Sequence, residues 1–308
     1  MIINMQHFTY YILFLIFLLH STTSKYIRCT SDCSQLTIPF HDPLTIPIEC
    51  QDNNNTTDIF DQALICIIDY RIDYDAKNIY VTFKASNDTK LIHVHHDSQY
   101  LLQTVWLGFN HGFNQPNITQ RQYGCNTGAD CAREFYLKSI DWLINEGKVH
   151  LEKIHKKMYN DSSTSDSSHL RCIDSKLRTN RTAVRCRQGL CYAHYVHHQS
   201  DQRETANRQS CDRDTMPTFF SEVEYYSPDV NNHRREVIEY KCNRELCNRN
   251  EVIKVIHKIL DYYTRWNVEE NFHDSSIKSA KSSAIDRINN RFLLIISIFM
   301  AIKLDSLK

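Results

Sequence analysis

Histidine and cysteine are the residue types here best equipped for chemistry, with 16 of the first and 12 of the second. In His93-Val94-His95-His96-Asp97, strand alternation would set His93 and His95 on one face, near enough to share an ion. His194, His197 and His198 form a second group. Two alternating histidines do not complete a tetrahedral shell, and no His-Glu-x-x-His helix is present. Exposed strand histidines are the simpler reading, so no metal ligand is assigned. There is also no Gly-x-Ser-x-Gly elbow, P-loop or dinucleotide-binding glycine motif, and 6 glycines leave little material for a phosphate cradle. No catalytic residue and no cofactor is assigned, and the chain is not read as an enzyme.

The cysteines fall into two sets of six: Cys29, Cys33, Cys50, Cys66, Cys125, Cys131, then Cys172, Cys186, Cys191, Cys211, Cys242, Cys247. In a reducing compartment their close spacings would suit zinc; behind an export signal an even count reads as a disulfide framework. Such a signal is expected over residues 1–24. An apolar run at 10–19 precedes Ser21, Thr22, Thr23 and Ser24 and is too short to cross a bilayer, which takes about 20 residues. At the other end, Ser279, Ala280, Ser282, Ser283 and Ala284 lie in a polar spacer, 268–291, ahead of a hydrophobic tail, 292–308. Small residues, spacer and tail form the pattern of a GPI-attachment signal. Lys303, Asp305 and Lys308 charge the end, so a short span or a packed or disordered tail remains an alternative.

Lys plus Arg equals Asp plus Glu at 36 each, so no net field draws the chain to nucleic acid or an anionic membrane surface. Asn-X-Ser/Thr triplets begin at Asn54, Asn55, Asn87, Asn117, Asn160 and Asn180, candidate glycan sites on exposed surface.

A Ser/Asp-rich linker at 159–170 separates the cysteine sets and defines two domains, 25–158 and 171–267. The halves repeat. Tyr123-Gly124-Cys125-Asn126 before Cys131 parallels Tyr240-Lys241-Cys242-Asn243 before Cys247, and Cys66 parallels Cys191 upstream. Ile79, Val81 and Phe83 alternate with Tyr80, Thr82 and Lys84 as in a half-buried strand; 64–68, 101–109, 191–196 and 219–226 are further strand candidates. Each closing cysteine pair precedes a helical stripe. Tyr136, Ile140, Leu143 and Ile144 form the first, with Gly147 as a stop; Val252, Val255, Ile256, Ile259, Leu260 and Tyr263 form the second, with Asn248 and Glu251 as a capping box. The fold class expected is α+β: two tandem, disulfide-stabilised, small antiparallel-sheet domains, each followed by an amphipathic helix.

The second cysteine set, with Cys191-Tyr192-Ala193-His194-Tyr195 and the closing Cys242-Asn243-Arg244-Glu245-Leu246-Cys247-Asn248, resembles the Ly6/uPAR-type three-finger domain, a group that includes receptor ectodomains of the activin type. The resemblance implies Cys172–Cys191, Cys186–Cys211 and Cys242–Cys247 bridges. It departs from the family in having no cysteine between Cys211 and Cys242, and Ala132 stands in the first half where the closing Asn would fall. The expected function is non-catalytic recognition of an extracellular protein or ligand by a secreted or surface-anchored glycoprotein. Anchoring would run through the C-terminal lipid or short tail segment. Tyr225, Tyr226, Tyr262, Tyr263 and Trp266 are candidate anchors for a partner. The alternatives are a secreted enzyme with a histidine-based or metal site, and a structural coat component.

Overall fold

The computed structural model describes residues 26–31, 33, 36–41, 44, 50, 60–88, 90, 97–109, 117–160, 170–176, 183–187, 189–198, 205–214, 216–227 and 233–264. The expected signal peptide, spacer and tail lie outside these residues, as do His93, His95, His96, Trp266 and the sequons at Asn54, Asn55 and Asn180.

The first half runs β1 (Ile27–Thr30), β2 (Leu36–Pro39), β3 (Phe60–Ala63), β4 (Ile65–Asp73), β5 (Asn78–Ser86), β6 (Gln99–Gly108) and β7 (Ile118–Cys125), then α1 (Cys131–Trp142), a π-helical turn (Leu143–Gly147) and α2 (Lys148–Met158). The second half repeats the plan with β8 (Leu170–Ile173), β9 (Ala183–Cys186), β10 (Leu190–His198), β11 (Thr205–Asp212), β12 (Thr218–Ser227), β13 (His233–Cys242) and α3 (Asn250–Thr264). The result is mostly antiparallel sheet with a few helices and six disulfides, an α+β chain. In β5, Ile79, Val81 and Phe83 are buried as their alternation requires.

The sequence leads one to expect two small sheets, but the strands of both halves share one. Its order is β11-β10-β13-β12-β6-β7-β4-β5-β2, with the pairs β1-β3 and β8-β9 as separate two-stranded ribbons. Each half contributes the same arrangement, β5-β4-β7-β6 and β11-β10-β13-β12, and the two meet where β6 pairs antiparallel with β12. The reason is an edge problem. β6 and β12 are ten-residue strands with apolar residues on both faces, and left unpaired they would expose long rows of backbone donors and acceptors.

Register places Tyr70, Arg121, Gln103, Val223 and Glu236 in one row across five strands, and all five are buried. The helices cover this face. Tyr136 packs edge-on against Tyr70 and Phe83. The end of α3 lies over the row: Arg121 Nε donates to Gln103 Oε1 at 2.7 Å and Nη2 donates to the Tyr263 carbonyl at 2.7 Å. That carbonyl belongs to the last turn of α3, where backbone acceptors lack helical partners and carry the negative end of the dipole. Gln103 Nε2 donates to Thr264 Oγ1, and the Tyr263 hydroxyl meets Tyr74 and Thr119 at 2.8 Å each. Burial raises the Tyr74 phenol well above its ordinary range and raises that of Tyr263 as well, so both stay neutral.

Two local readings are corrected. Gly147 does not stop a helix: the chain continues helically from Cys131 to Met158. Its role is close approach, because a Cβ there would lie 2.8 Å from the Tyr263 ring. Asn248 does not cap α3, which begins at Asn250. It is fully buried and ties β8, β10 and β11 together: Nδ2 donates to the carbonyls of Ile173 (2.9 Å), Tyr192 (3.0 Å) and Ser210 (3.5 Å), while Oδ1 accepts from the Ile173 N–H.

All twelve cysteines are paired, each within its own half: Cys29–Cys66, Cys33–Cys50, Cys125–Cys131, Cys172–Cys191, Cys186–Cys211 and Cys242–Cys247. The last three are the bridges that the three-finger resemblance implies.

Two outcomes follow from these contacts. Replacing the pair Cys172→Ser and Cys191→Ser, which opens a closure between positions 19 residues apart, should lower stability in urea unfolding by about 3 kcal/mol. Arg121→Met keeps much of the volume but strips Gln103 Oε1 and the Tyr263 carbonyl of their donor; a loss of about 2–3 kcal/mol is expected in the same assay.

Candidate functional site on the sheet face opposite the helices

Side chains alternate across a strand, so every buried row beneath the helices has a counterpart on the opposite face. There, Ile118, Trp106, Phe220, Glu239, His194 and Arg208 face one another across β7, β6, β12, β13, β10 and β11. Trp106 is 52% exposed and its ring lies 4.5 Å from that of Phe220. A tryptophan exposed to that degree on a flat antiparallel sheet is the kind of side chain that anchors interfaces. The row straddles the joint between the halves, since Trp106 belongs to β6 and Phe220 to β12.

Charge surrounds it. Arg235 reaches Glu222 at 3.1 Å and Glu224 at 2.9 Å; Lys241 reaches Asp212 at 3.3 Å and Asp214 at 2.8 Å. These half-exposed pairs contribute about 0–1 kcal/mol each to stability, so their main effect is to fix where charge sits on the face. The bond to Asp214 raises the Lys241 ammonium pKa, with Asp212 assisting against burial. Burial first, then Glu239, raises the Tyr192 phenol. At neutral pH the face therefore shows fixed charges and a neutral tyrosine. Its far end is closed by a small apolar cluster of Leu64, Ile65, Ile67 and Tyr100, with Leu102 and Tyr226 packed on it.

The structure redistributes the residues singled out from sequence. His194 and His198 lie on the face opposite the helices, whereas His197 lies on the helix side with Tyr195 and His257, so this histidine group is split. Cys172, Cys186 and Cys211 bring their sulfurs within 4.8 Å, but each sulfur is already bonded in one of two neighbouring disulfides. Tyr263 is buried, Tyr226 is half-buried beside Tyr100, and Tyr262 is 36% exposed on α3 near His150 and Trp142. Trp106 escaped attention because 101–109 is apolar on both parities, which reads as a strand buried on both faces. Glu236 and His257, far apart in sequence, meet at 3.0 Å beneath α3.

A cleft of 180 Å³ opens between the sheet end and α2, lined chiefly by Tyr74, Leu107, Phe109, Leu151 and His155. Ligand cavities usually enclose about 300–1,000 Å³, so the cleft is small for a substrate. No described helix is long and apolar enough to cross a membrane. No family model, curated protein or solved structure matches the chain.

Glycan chemistry bears on access to the face. Asn117 sits beside Ile118, and its Nδ2 donates to both Asp75 oxygens at 2.9 and 3.2 Å while Oδ1 accepts from the Gly108 N–H. Thr119 of the same triplet is fully buried. Asn87 is exposed, and its contact with the Leu64 N–H uses the oxygen rather than the nitrogen that carries a glycan. Glycopeptide mapping of chain recovered from secretory cells should find Asn117 unmodified and Asn87 occupied; a glycan on Asn117 would contradict the Asp75 contact.

Proposed function

We propose that this chain is an exported glycoprotein that recognises an extracellular protein without catalysing a reaction on it. Its sheet face opposite the helices, at the joint of the two halves, would be the contact surface. The observation that carries this reading is the half-exposed Trp106, its ring tilted against that of Phe220 at 4.5 Å, on a face where helices are absent among the described residues and charges are fixed by pairing. Six disulfides, typical of proteins in oxidising surroundings, support the extracellular setting. Rigid strands and covalent bridges favour recognition because little ordering entropy remains to be lost on contact.

Each half is read as a three-finger-like unit. Its first ribbon is β1-β3 or β8-β9, and its remaining strands enter the common sheet. A C-terminal lipid anchor or short tail segment would hold the protein at the cell surface.

The test is proximity labelling with the full chain on living cells, comparing wild type with Trp106→Ala/Phe220→Ala and, as a control on another exposed aromatic, Tyr262→Ala. The double variant should lose its labelled surface protein by tenfold or more, about the loss expected on removing an interface anchor, while Tyr262→Ala keeps it. Equal labelling by all three would rule out this face, and recovery of the chain from cytosol with free thiols would rule out the setting.

A further inference from the structure

Hydrogen bonds tie both ends of α3 to the sheet, from Gln209 Nε2 to Asn250 Oδ1 at its start and from Arg121 and Gln103 at its finish. His257, two turns into the helix, places Nε2 at 3.0 Å from Oε2 of Glu236 on β13. Glu236 is fully buried. A carboxylate taken out of water persists as an ion only when nearby charge compensates it.

The groups that face it can be counted. From β13, Arg234 brings Nη2 to 3.7 Å from the same oxygen, while its Nη1 is committed to Asp261 at 2.5 Å. From β10, His197 and Tyr195 approach the His257 ring with centroids 5.6 and 6.2 Å away. Asp261 lies one turn further along α3 itself. Two carboxylates therefore share one guanidinium, and the cluster is neutral only when His257 carries a proton.

We propose that His257 and Glu236 form a protonation-dependent latch, which fastens the middle of α3 to the sheet in mildly acidic medium and slackens as the medium turns basic. The Glu236 carboxylate, 3.0 Å from Nε2, holds the imidazole above its ordinary value of 6.5 against opposing burial and the nearby Arg234. A histidine with a raised folded pKa contributes stability that is complete below its unfolded value and is lost as pH rises through the folded one. The latch is lost as pH rises through the folded pKa of His257. His197 faces the same carboxylate from β10, across the ladder from Glu236, and is the neighbouring imidazole against which the role of His257 is checked. Because α3 also reaches Arg121 and Gln103 in the first half, slackening its middle loosens the tie between the halves.

Two readouts on the full chain test this: NMR titration of the His257 ring, assigned with His257→Gln, and amide exchange across 253–260 at about pH 5.5 and about pH 8.5, corrected for intrinsic exchange. The wild type should titrate above 6.5 and lose protection several-fold on going basic. In Glu236→Gln the midpoint should return to 6.5 or below and the pH dependence should vanish, whereas His197→Gln should keep both. A wild-type midpoint at or below 6.5, or pH-independent protection of α3, overturns the proposal. These two wild-type readouts decide the matter even if Glu236→Gln fails to fold. A null result in the labelling experiment leaves them untouched.

Discussion

The β6–β12 ladder is the constraint on which the rest of the molecule depends. Ten facing pairs, from Gly108–Thr218 to Gln99–Ser227, convert two covalently closed halves into one sheet. Gln99 pairs with Cys125 and Thr218 with Lys241, so matching Cys125 to Cys242 makes Thr104 and Glu222 equivalent positions in the repeat, and they face each other directly. The joint is thus close to a two-fold relation between duplicated units. A slip of β6 by one residue would turn Gln103 outward and bury Trp106, so the register decides at once what is core and what is surface.

Across that joint lies α3, and the chemistry beneath it explains why an arginine tolerates complete burial. Arg121 is compensated by a side-chain amide, a carbonyl at the negative end of a helix and the face of Tyr263, its guanidinium 5.5 Å from the ring centroid. Glu236, in the same row three strands away, is compensated by Arg234 and His257. Replacing such a network whole by apolar side chains changes net stability little, whereas removing one member, or any arrangement that separates it from its partners, leaves buried polar groups unsatisfied. The disulfides contribute in a complementary way. They close each half internally and leave the joint to backbone pairing and α3.

Much of this was legible in the residues. Alternation identified β5, the repeated Tyr-x-Cys-Asn identified equivalent strands, and the 3.6 period located α3, with Ile256, Leu260 and Tyr263 buried as expected but Ile253 buried in place of the exposed Val255. The joining of two sheets was not legible. Nothing local distinguishes an edge strand that will find a partner from a central one, and the mixed apolar run of β6 concealed Trp106. Gly147 and Asn248 were misread for a related reason. Both sit where helix-terminus chemistry would place such residues, yet Gly147 makes room for Tyr263 and Asn248 bonds three strands that sequence distance keeps apart.

The joint itself is most directly tested by covalent capture. Thr104→Cys with Glu222→Cys places two thiols on opposed positions of β6 and β12, at the short Cβ separation of facing residues. Non-reducing mass spectrometry of chain folded in an oxidising compartment should show a seventh bridge linking 104 to 222, while Thr104→Cys with Val237→Cys, one strand further away, should leave both thiols free. Absence of the 104–222 bridge, or equal capture by the distant pair, would mean the two halves do not share a sheet.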